Sequence, residues 1–210
     1  MTTIAIIPAR GGSGGLARKN VLPLAGKPLI AHTIEHSKKS LLVNRTFVST
    51  EDEEIASISY NHGAEVVMRP LELASDTASS ESALVHTINY LRDKEGCNPD
   101  LIVFLQCTSP IRLPNDVDNA IKRLLSQEAD SLFSACRSHA FIWRRINSEI
   151  EPVNYDYRER KRRQEMADEF IENGSIYVFR PWVLEKLHNR LGGKVTFYEM
   201  AYWSLFQVDS

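Results

Sequence analysis

One stretch constrains this chain more than any other: Ile4-Ala5-Ile6-Ile7-Pro8-Ala9-Arg10-Gly11-Gly12-Ser13-Gly14-Gly15-Leu16-Ala17-Arg18-Lys19-Asn20. An apolar run of strand length stops at Pro8 and opens into a loop of four glycines and a serine, bracketed by Arg10, Arg18 and Lys19. Glycine lets the backbone turn sharply and brings N–H groups close to a ligand. Successive N–H groups in such turns form anion-binding concavities. The stretch therefore reads as a polyphosphate cradle at the end of a first strand. It is neither a Walker A loop, which ends in Gly-Lys-Ser/Thr, nor a dinucleotide fingerprint, whose glycines are spaced differently. The plain alternative is a flexible surface loop with solvated arginines.

Beyond the loop, strand and helix patterns alternate. Leu29 to Lys38 reads as a helix with Leu29, Ile30 and Ile34 on one face. Arg45 to Thr50 reads as a strand. Glu51 to Asn61 reads as a helix with an acidic first turn and a glycine stop at His62-Gly63. Glu65 to Met68 is a third strand, and Ser80 to Lys94 a helix. Leu101 to Leu105 is continuously apolar, as expected of a central strand covered on both faces. Asn115 to Ser126 is an amphipathic helix and Ser131 to Cys136 a strand. Trp182 to Leu191 reads as a short helix and Val195 to Glu199 as a strand. The order predicts an α/β fold: a mainly parallel sheet with helices on both faces. Ligands of such sheets sit beyond the carboxyl ends of the strands.

Composition excludes several classes. The chain has 210 residues, 43% hydrophobic and 25% charged, and a formal net charge of −2. One domain is expected, and there is no general attraction to nucleic acid. Cys97, Cys107 and Cys136 fit neither a disulfide framework nor a zinc site, which points to a reducing cytoplasm. No leader is visible at Met1-Thr2-Thr3, and no apolar run reaches the roughly 18 residues of a membrane span.

Three further segments carry chemistry. Arg69 to Ser80 is rich in hydroxyls, and a helix N-cap cluster alone would account for it. Gln106-Cys107-Thr108-Ser109-Pro110-Ile111-Arg112 follows the central strand directly, where polar residues are well placed for a site. Cys107 there reads as a small packed residue rather than a nucleophile. His139 to Arg163 interleaves seven arginines and lysines with Phe141, Trp143, Tyr155 and Tyr157. The chain-wide charge and the nearby Glu149, Glu151, Asp156 and Glu159 argue against a nucleic-acid surface, and a protruding arm that packs on a partner subunit is the preferred reading. Asn173-Gly174 reads as a turn into a strand.

Four motifs in order give the chain a family resemblance. Ile7 to Gly15 with Arg18-Lys19-Asn20 resembles the signature of the acylneuraminate cytidylyltransferases, the CMP-sialic acid synthetases. These are similar to the wider sugar nucleotidyltransferases, including CMP-3-deoxy-manno-octulosonate synthetase. Arg69-Pro70 to Ser80, Leu105 to Arg112, and Arg163-Gln164 with Asn173 to Tyr177 match further family motifs.

The resemblance implies a nucleotide-diphospho-sugar transferase-like fold in one domain, 1–210, with residues 139–170 as a dimerisation arm. It implies transfer of CMP from CTP to the anomeric hydroxyl of a nonulosonic acid, a nine-carbon keto-sugar acid, in a homodimeric enzyme. Arg10, Lys19 and the loop Gly11, Gly12, Ser13 and Gly14 would hold the triphosphate, and Asn20 the nucleoside. Arg69 and Ser80 would border the pyrimidine. Gln106, Thr108, Asn173 and Tyr177 would line the sugar site, and Arg163 would meet the carboxylate. Asp209 would hold Mg2+ or Mn2+.

Two departures stand out. The family loop usually carries lysine where this chain has Gly14, and many relatives carry an Asp-x-Asp pair where it has Gln207 and Asp209. Two other functions stay open: a cytidylyltransferase for octulosonate, legionaminate or pseudaminate, and a weakly active nucleotide-binding homologue.

Overall fold

The computed structural model describes residues 1–12 and 15–208, and of Arg163 the backbone only. The strands are β1 (Thr3–Pro8), β2 (Pro23–Leu24), β3 (Lys27–Pro28), β4 (Arg45–Thr50), β5 (Glu65–Met68), β6 (Leu101–Leu105), β7 (Ser131–Ser138), β8 (Trp143–Ile146), β9 (Glu149–Pro152), β10 (Glu169–Phe179) and β11 (Val195–Met200). The helices are α1 (Leu29–Lys39), α2 (Glu53–Asn61), α3 (Ser80–Glu95), α4 (Asp116–Ser126) and α5 (Pro181–Leu187).

Seven strands form the main sheet in the order β11-β7-β10-β6-β1-β4-β5. β1 pairs in parallel with β4 and β6, β4 with β5, and β7 with β11. β10 runs antiparallel to both its neighbours, β6 and β7. β6 is the middle strand, as its unbroken apolar run predicts, and all five of its residues are buried.

Side-chain alternation along β1 divides the core. Ala5 and Ile7 pack with Ile30 and Ile34 of α1, Ile55 of α2, and Val117, Ile121 and Leu124 of α4. Ile4 and Ile6 face the other way, onto Leu84, Ile88 and Leu91 of α3 and Val183 and Leu184 of α5. Each fully buried aliphatic side chain contributes about 1.5–3 kcal/mol. The chain adds β4 and β5 on one side of β1, then returns to add β6 on the other. That reversal opens a crevice beyond the carboxyl ends of β1 and β6.

Several boundaries differ from the sequence reading. Glu51 lies outside α2, because Asp52 is the cap: its side chain accepts from the Ile55 N–H at 2.9 Å. α5 stops at Leu187, where His188 takes a left-handed conformation with φ 52°. Asn173-Gly174 is no turn before a strand. It lies inside the continuous β10, where pairing with β7 shifts register between Glu172 and Tyr177. Gly174 there has φ +66°, and a Cβ on it would stand 2.9 Å from Gln106 Oε1.

The basic and aromatic segment forms a separate two-stranded hairpin of β8 and β9. Phe141, Trp143, Tyr155 and Tyr157 cluster at its base with ring centroids 4.3–6.0 Å apart. Among the described residues, no helix is long and apolar enough to cross a membrane.

His36 of α1 gives a pH test of this packing. Burial first, and then the nearby positive Arg112, lowers its pKa to about 4. A histidine with a depressed folded pKa contributes stability above its unfolded value of about 6.5 and loses it as pH falls towards 4. The melting temperature should fall through that window, and His36→Gln should flatten the fall relative to wild type in paired thermal melts.

Candidate active site

A cleft of about 380 Å³ occupies the crevice, lined by Pro8 at the end of β1 and Arg10 beyond it, Arg69 after β5, and Gln106 to Thr108 after β6. Lys19, Asn20, Ser80 and Gln207 complete the walls. Segments as far apart in sequence as the glycine loop and the carboxyl-terminal stretch therefore meet at one place. A larger hollow of about 820 Å³, lined by Arg137, Phe141, Arg160 and Tyr202 among others, shares no lining residue with it. That hollow lies at the base of the arm, beside the carboxyl ends of β7 and β11.

The described part of the loop is held from both ends. The Gly11 N–H donates to Glu51 Oε1 at 2.7 Å. A Cβ on Gly11 would stand 2.4 Å from Asp52 Oδ2, so the α2 cap and the loop fit only with glycine there. Arg18 closes the other end, donating to both oxygens of Asp52 at 2.8 and 3.2 Å and also to Glu54. It is therefore committed to α2 and does not line the cleft. Among the described residues, a Cβ on Gly12 would meet nothing within 4 Å. Ser13 and Gly14 lie outside the described residues.

Arg10 and Lys19 bring positive charge to the cleft. Arg10 Nη1 donates to the Ser75 carbonyl at 3.0 Å and pairs with the exposed Asp76 at 2.9 Å. These contacts aim the guanidinium across the cleft mouth. Asn20 is 5% exposed. Its Nδ2 donates to the Arg10 carbonyl at 3.0 Å, and its buried Oδ1 has no hydrogen-bond partner among the described residues. Buried polar atoms are normally satisfied, so this acceptor invites a donor from a ligand.

Arg69 stands on the adjacent wall in a buried ion pair. Its Nε and Nη2 donate to Glu51 Oε2 at 3.1 and 2.9 Å. The two side chains are 4% and 10% exposed. Burial lowers the Arg69 pKa and Glu51 works against that. Breaking a buried pair by removing one partner typically costs about 3–5 kcal/mol, because the other charge is left uncompensated. Ser80 opens α3, and the preceding Ser79 supplies the cap, accepting from the Ser82 N–H at 3.2 Å. The capping reading of this segment is thus correct for Ser79, while Ser80 remains in the cleft wall.

The floor is the turn after β6. Arg112 folds back beneath it and donates to the Gln106 and Ser175 carbonyls at 2.8 and 2.9 Å, and to Thr33 at 3.2 Å. Burial brings its pKa down to about 10, still cationic at neutral pH. Cys107 is buried, which pushes its thiol up to about 12 and makes it a packed residue. Val208 N–H donates to the Thr108 carbonyl at 2.8 Å, and Gln207 Nε2 to the Asn173 carbonyl at 2.9 Å. These bonds lay the carboxyl-terminal segment along the cleft.

Asn173 and Tyr177 lie behind the lining. Asn173 is wholly buried: Oδ1 accepts from Ser134 Oγ at 2.6 Å and Nδ2 donates to Ser204 Oγ at 2.9 Å. Tyr177 is 4% exposed, stacks on Phe104 at 5.4 Å and donates its hydroxyl to Glu172. The Arg163 side chain and Asp209 lie outside the described residues. Among the described residues no group of three or more His, Cys, Asp or Glu is placed to hold a metal.

Sequence reasoning missed Glu51, which it assigned to the acidic start of a helix. The signal available was its position, the first residue beyond the carboxyl end of β4. It also missed Asp76 as the partner of Arg10, and Arg112 as the cation under the floor.

A family model described as cytidylyltransferase matches residues 4–202. N-acylneuraminate cytidylyltransferase A of Danio rerio is 36% identical over 200 residues, covering 93% of this chain and 45% of that protein. The N-acylneuraminate cytidylyltransferase of Streptococcus agalactiae serotype V is 32% identical over 217 residues, covering 100% and 51%. The chain thus spans about half the length of the curated relatives it matches. Among solved structures, a CMP:2-keto-3-deoxy-manno-octonic acid synthetase complexed with CTP matches with TM-score 0.75 at 20% identity, covering 100% of this chain and 94% of that one. A 4-diphosphocytidyl-2C-methyl-D-erythritol synthase from Anaerococcus prevotii matches with TM-score 0.67 at 10% identity, covering 100% and 93%. At these identities the likeness speaks for the fold.

Gly11→Ala tests the loop's fit. The added methyl must displace Asp52, which is held by the Ile55 N–H and by Arg18. Such overpacking costs about 1–3 kcal/mol. A loss of several degrees in melting temperature is the expected outcome in paired thermal melts.

Proposed function

Because this chain belongs to the cytidylyltransferase family, we propose that it transfers CMP from CTP to the anomeric hydroxyl of a nonulosonic acid and releases pyrophosphate. The observation that carries this reading is one cleft uniting Arg10 and Lys19 with the buried Arg69–Glu51 pair. The names of the N-acylneuraminate cytidylyltransferase relatives support the acceptor class.

In this reading Arg10, Lys19 and the loop amides hold the triphosphate. The unpartnered Asn20 Oδ1 accepts from the nucleoside. Arg69 and Ser80 border the pyrimidine, where a wrong base would leave buried polar groups unpaired. Gln106 and Thr108 meet the acceptor sugar and Arg163 its carboxylate, a task suited to a planar fork. Asn173 and Tyr177 support that end from beneath. The sugar hydroxyl forms the new bond to the α-phosphorus as the bond to pyrophosphate breaks. No covalent enzyme intermediate is needed, so the side chains contribute position and charge.

Mg2+ or Mn2+ would suit this cleft as a hard cation that prefers oxygen ligands. Gln207, whose Nε2 is spent on Asn173, keeps its carbonyl oxygen for such a role, and Asp209 follows two residues on. When bound, the ion would neutralise phosphate charge and polarise the attacked centre. The arm, with its aromatic cluster at the base and Ile146 and Ile150 exposed towards the turn, packs on a second copy in this proposal. Three free thiols suit a cytoplasmic setting.

Pyrophosphate release from CTP, UTP, ATP and GTP, each with Mg2+ and a panel of keto-sugar acids, tests the reading. CTP with a nine-carbon acid should be fastest, and activity should vanish with a chelator. Equal turnover of UTP or ATP would overturn the assignment. CTP binding without turnover would leave only a nucleotide-binding protein. Arg10→Ala and Lys19→Ala should each slow turnover roughly a hundredfold or more, since losing one preorganised charge contact costs about 2.7–4 kcal/mol.

A further inference from the structure

We infer that Glu51 is a positioning residue that ties base recognition to phosphate binding through one carboxylate, an inference that rests on the CTP reading of the cleft. Glu51 leaves β4 between two backbone clamps. The Ala9 N–H donates to the Ser49 carbonyl and the Arg69 N–H to the Thr50 carbonyl, both at 2.9 Å. The backbones of the loop and of the arginine segment are thereby fixed on either side of it.

Its two oxygens are then divided. Oε1 takes the Gly11 N–H at 2.7 Å, and Oε2 takes both N–H groups of the Arg69 fork. The pair is almost entirely removed from solvent, so water is a poor substitute partner for either group. Arg10 adds a repulsive positive charge on Arg69 from across the cleft. Glu51 is the counter-ion that lets Arg69 stay at the cleft wall beside that charge. It also sets the first peptide of the glycine loop, so the two halves of a nucleotide meet surfaces held by one side chain. Asp52, the next residue, clasps the far end of the loop through Arg18. The dipeptide therefore frames the described part of the loop, and among the described residues Glu51 links it to Arg69.

Glu51→Gln isolates the effect. It preserves length and an acceptor for Gly11 but removes the charge and turns an amide towards Arg69. Titration calorimetry with CTP and with UTP, without acceptor, should show CTP affinity reduced at least tenfold and the preference for CTP narrowed. The acceptor KM should stay within twofold of wild type in turnover assays. CTP affinity within twofold of wild type would overturn the inference, as would equal losses for CTP and UTP, which mark a general structural role. Should Glu51→Gln fail to fold, Glu51→Asp serves: it keeps the charge, but one methylene shorter it cannot reach both partners. It should fall at least fivefold in CTP affinity, and wild-type affinity would refute the linkage. A wild-type chain that binds CTP and UTP equally would instead overturn the functional reading. The linkage would then be judged on triphosphate affinity alone, upheld if Glu51→Gln weakens it and refuted if it is unchanged.

Discussion

The guanidinium of Arg112 is the contact on which the cleft depends. It reaches beneath the turn after β6 and bonds α1 through Thr33, the turn through Gln106, and β10 through Ser175. Burying a charge without a carboxylate in contact is costly, and multiple hydrogen bonds must offset it. Here the bonds go to two carbonyls and a hydroxyl of three separate elements. Nε is buried without a hydrogen-bond partner among the described residues, so the three bonds offset only part of the cost, and they do so only when all three elements are in place. The cation also adds a fixed positive charge below a site whose proposed ligand is a polyanion. In the low dielectric of the interior that charge is weakly screened.

The walls follow a different electrostatic logic. Each of the two cleft arginines is aimed by groups that neutralise part of its charge: Arg10 by Asp76 and two carbonyls, Arg69 by Glu51. Asp76 is exposed and can yield to a stronger anion, whereas Glu51 is buried and cannot be displaced cheaply. The two arginines thus differ in kind. One is adjustable at the mouth, and the other is fixed in the wall.

Much of this was legible in the sequence. The unbroken apolar run of Leu101 to Leu105 identified the middle strand, because only a strand covered on both faces tolerates such a run. The glycine loop, Arg69 to Ser80, and Gln106 with Thr108 were each placed beyond strand ends, and the fold brings them to one cleft. The partners of the cations were not legible. Glu51 and Asp76 are ordinary surface residue types, and only the third dimension shows which arginine each faces. Asn173 and Tyr177 illustrate the reverse failure. Their motif placed them at a site, but period and composition cannot distinguish a residue that touches a ligand from one buried a layer below. The antiparallel course of β10 was equally hidden, since a strand's direction is decided by the connections around it.

β10 also serves as a joint. Its first residues lie at the arm, where Asn154 Nδ2 reaches Glu169, and its last residues lie in the sheet beside β6. Between them, at Asn173 and Gly174, the register with β7 changes, and the joint is pinned by buried bonds to Ser134 and Ser204. A register break of this kind absorbs a change in strand length or tilt on one side without carrying it to the other. The chain is thereby divided into a conservative and an inventive part along one strand. Insertions and exchanges in the arm can accumulate over evolutionary time while the cleft keeps its shape. Lineages descended from such a chain can reshape the arm without rebuilding the cleft.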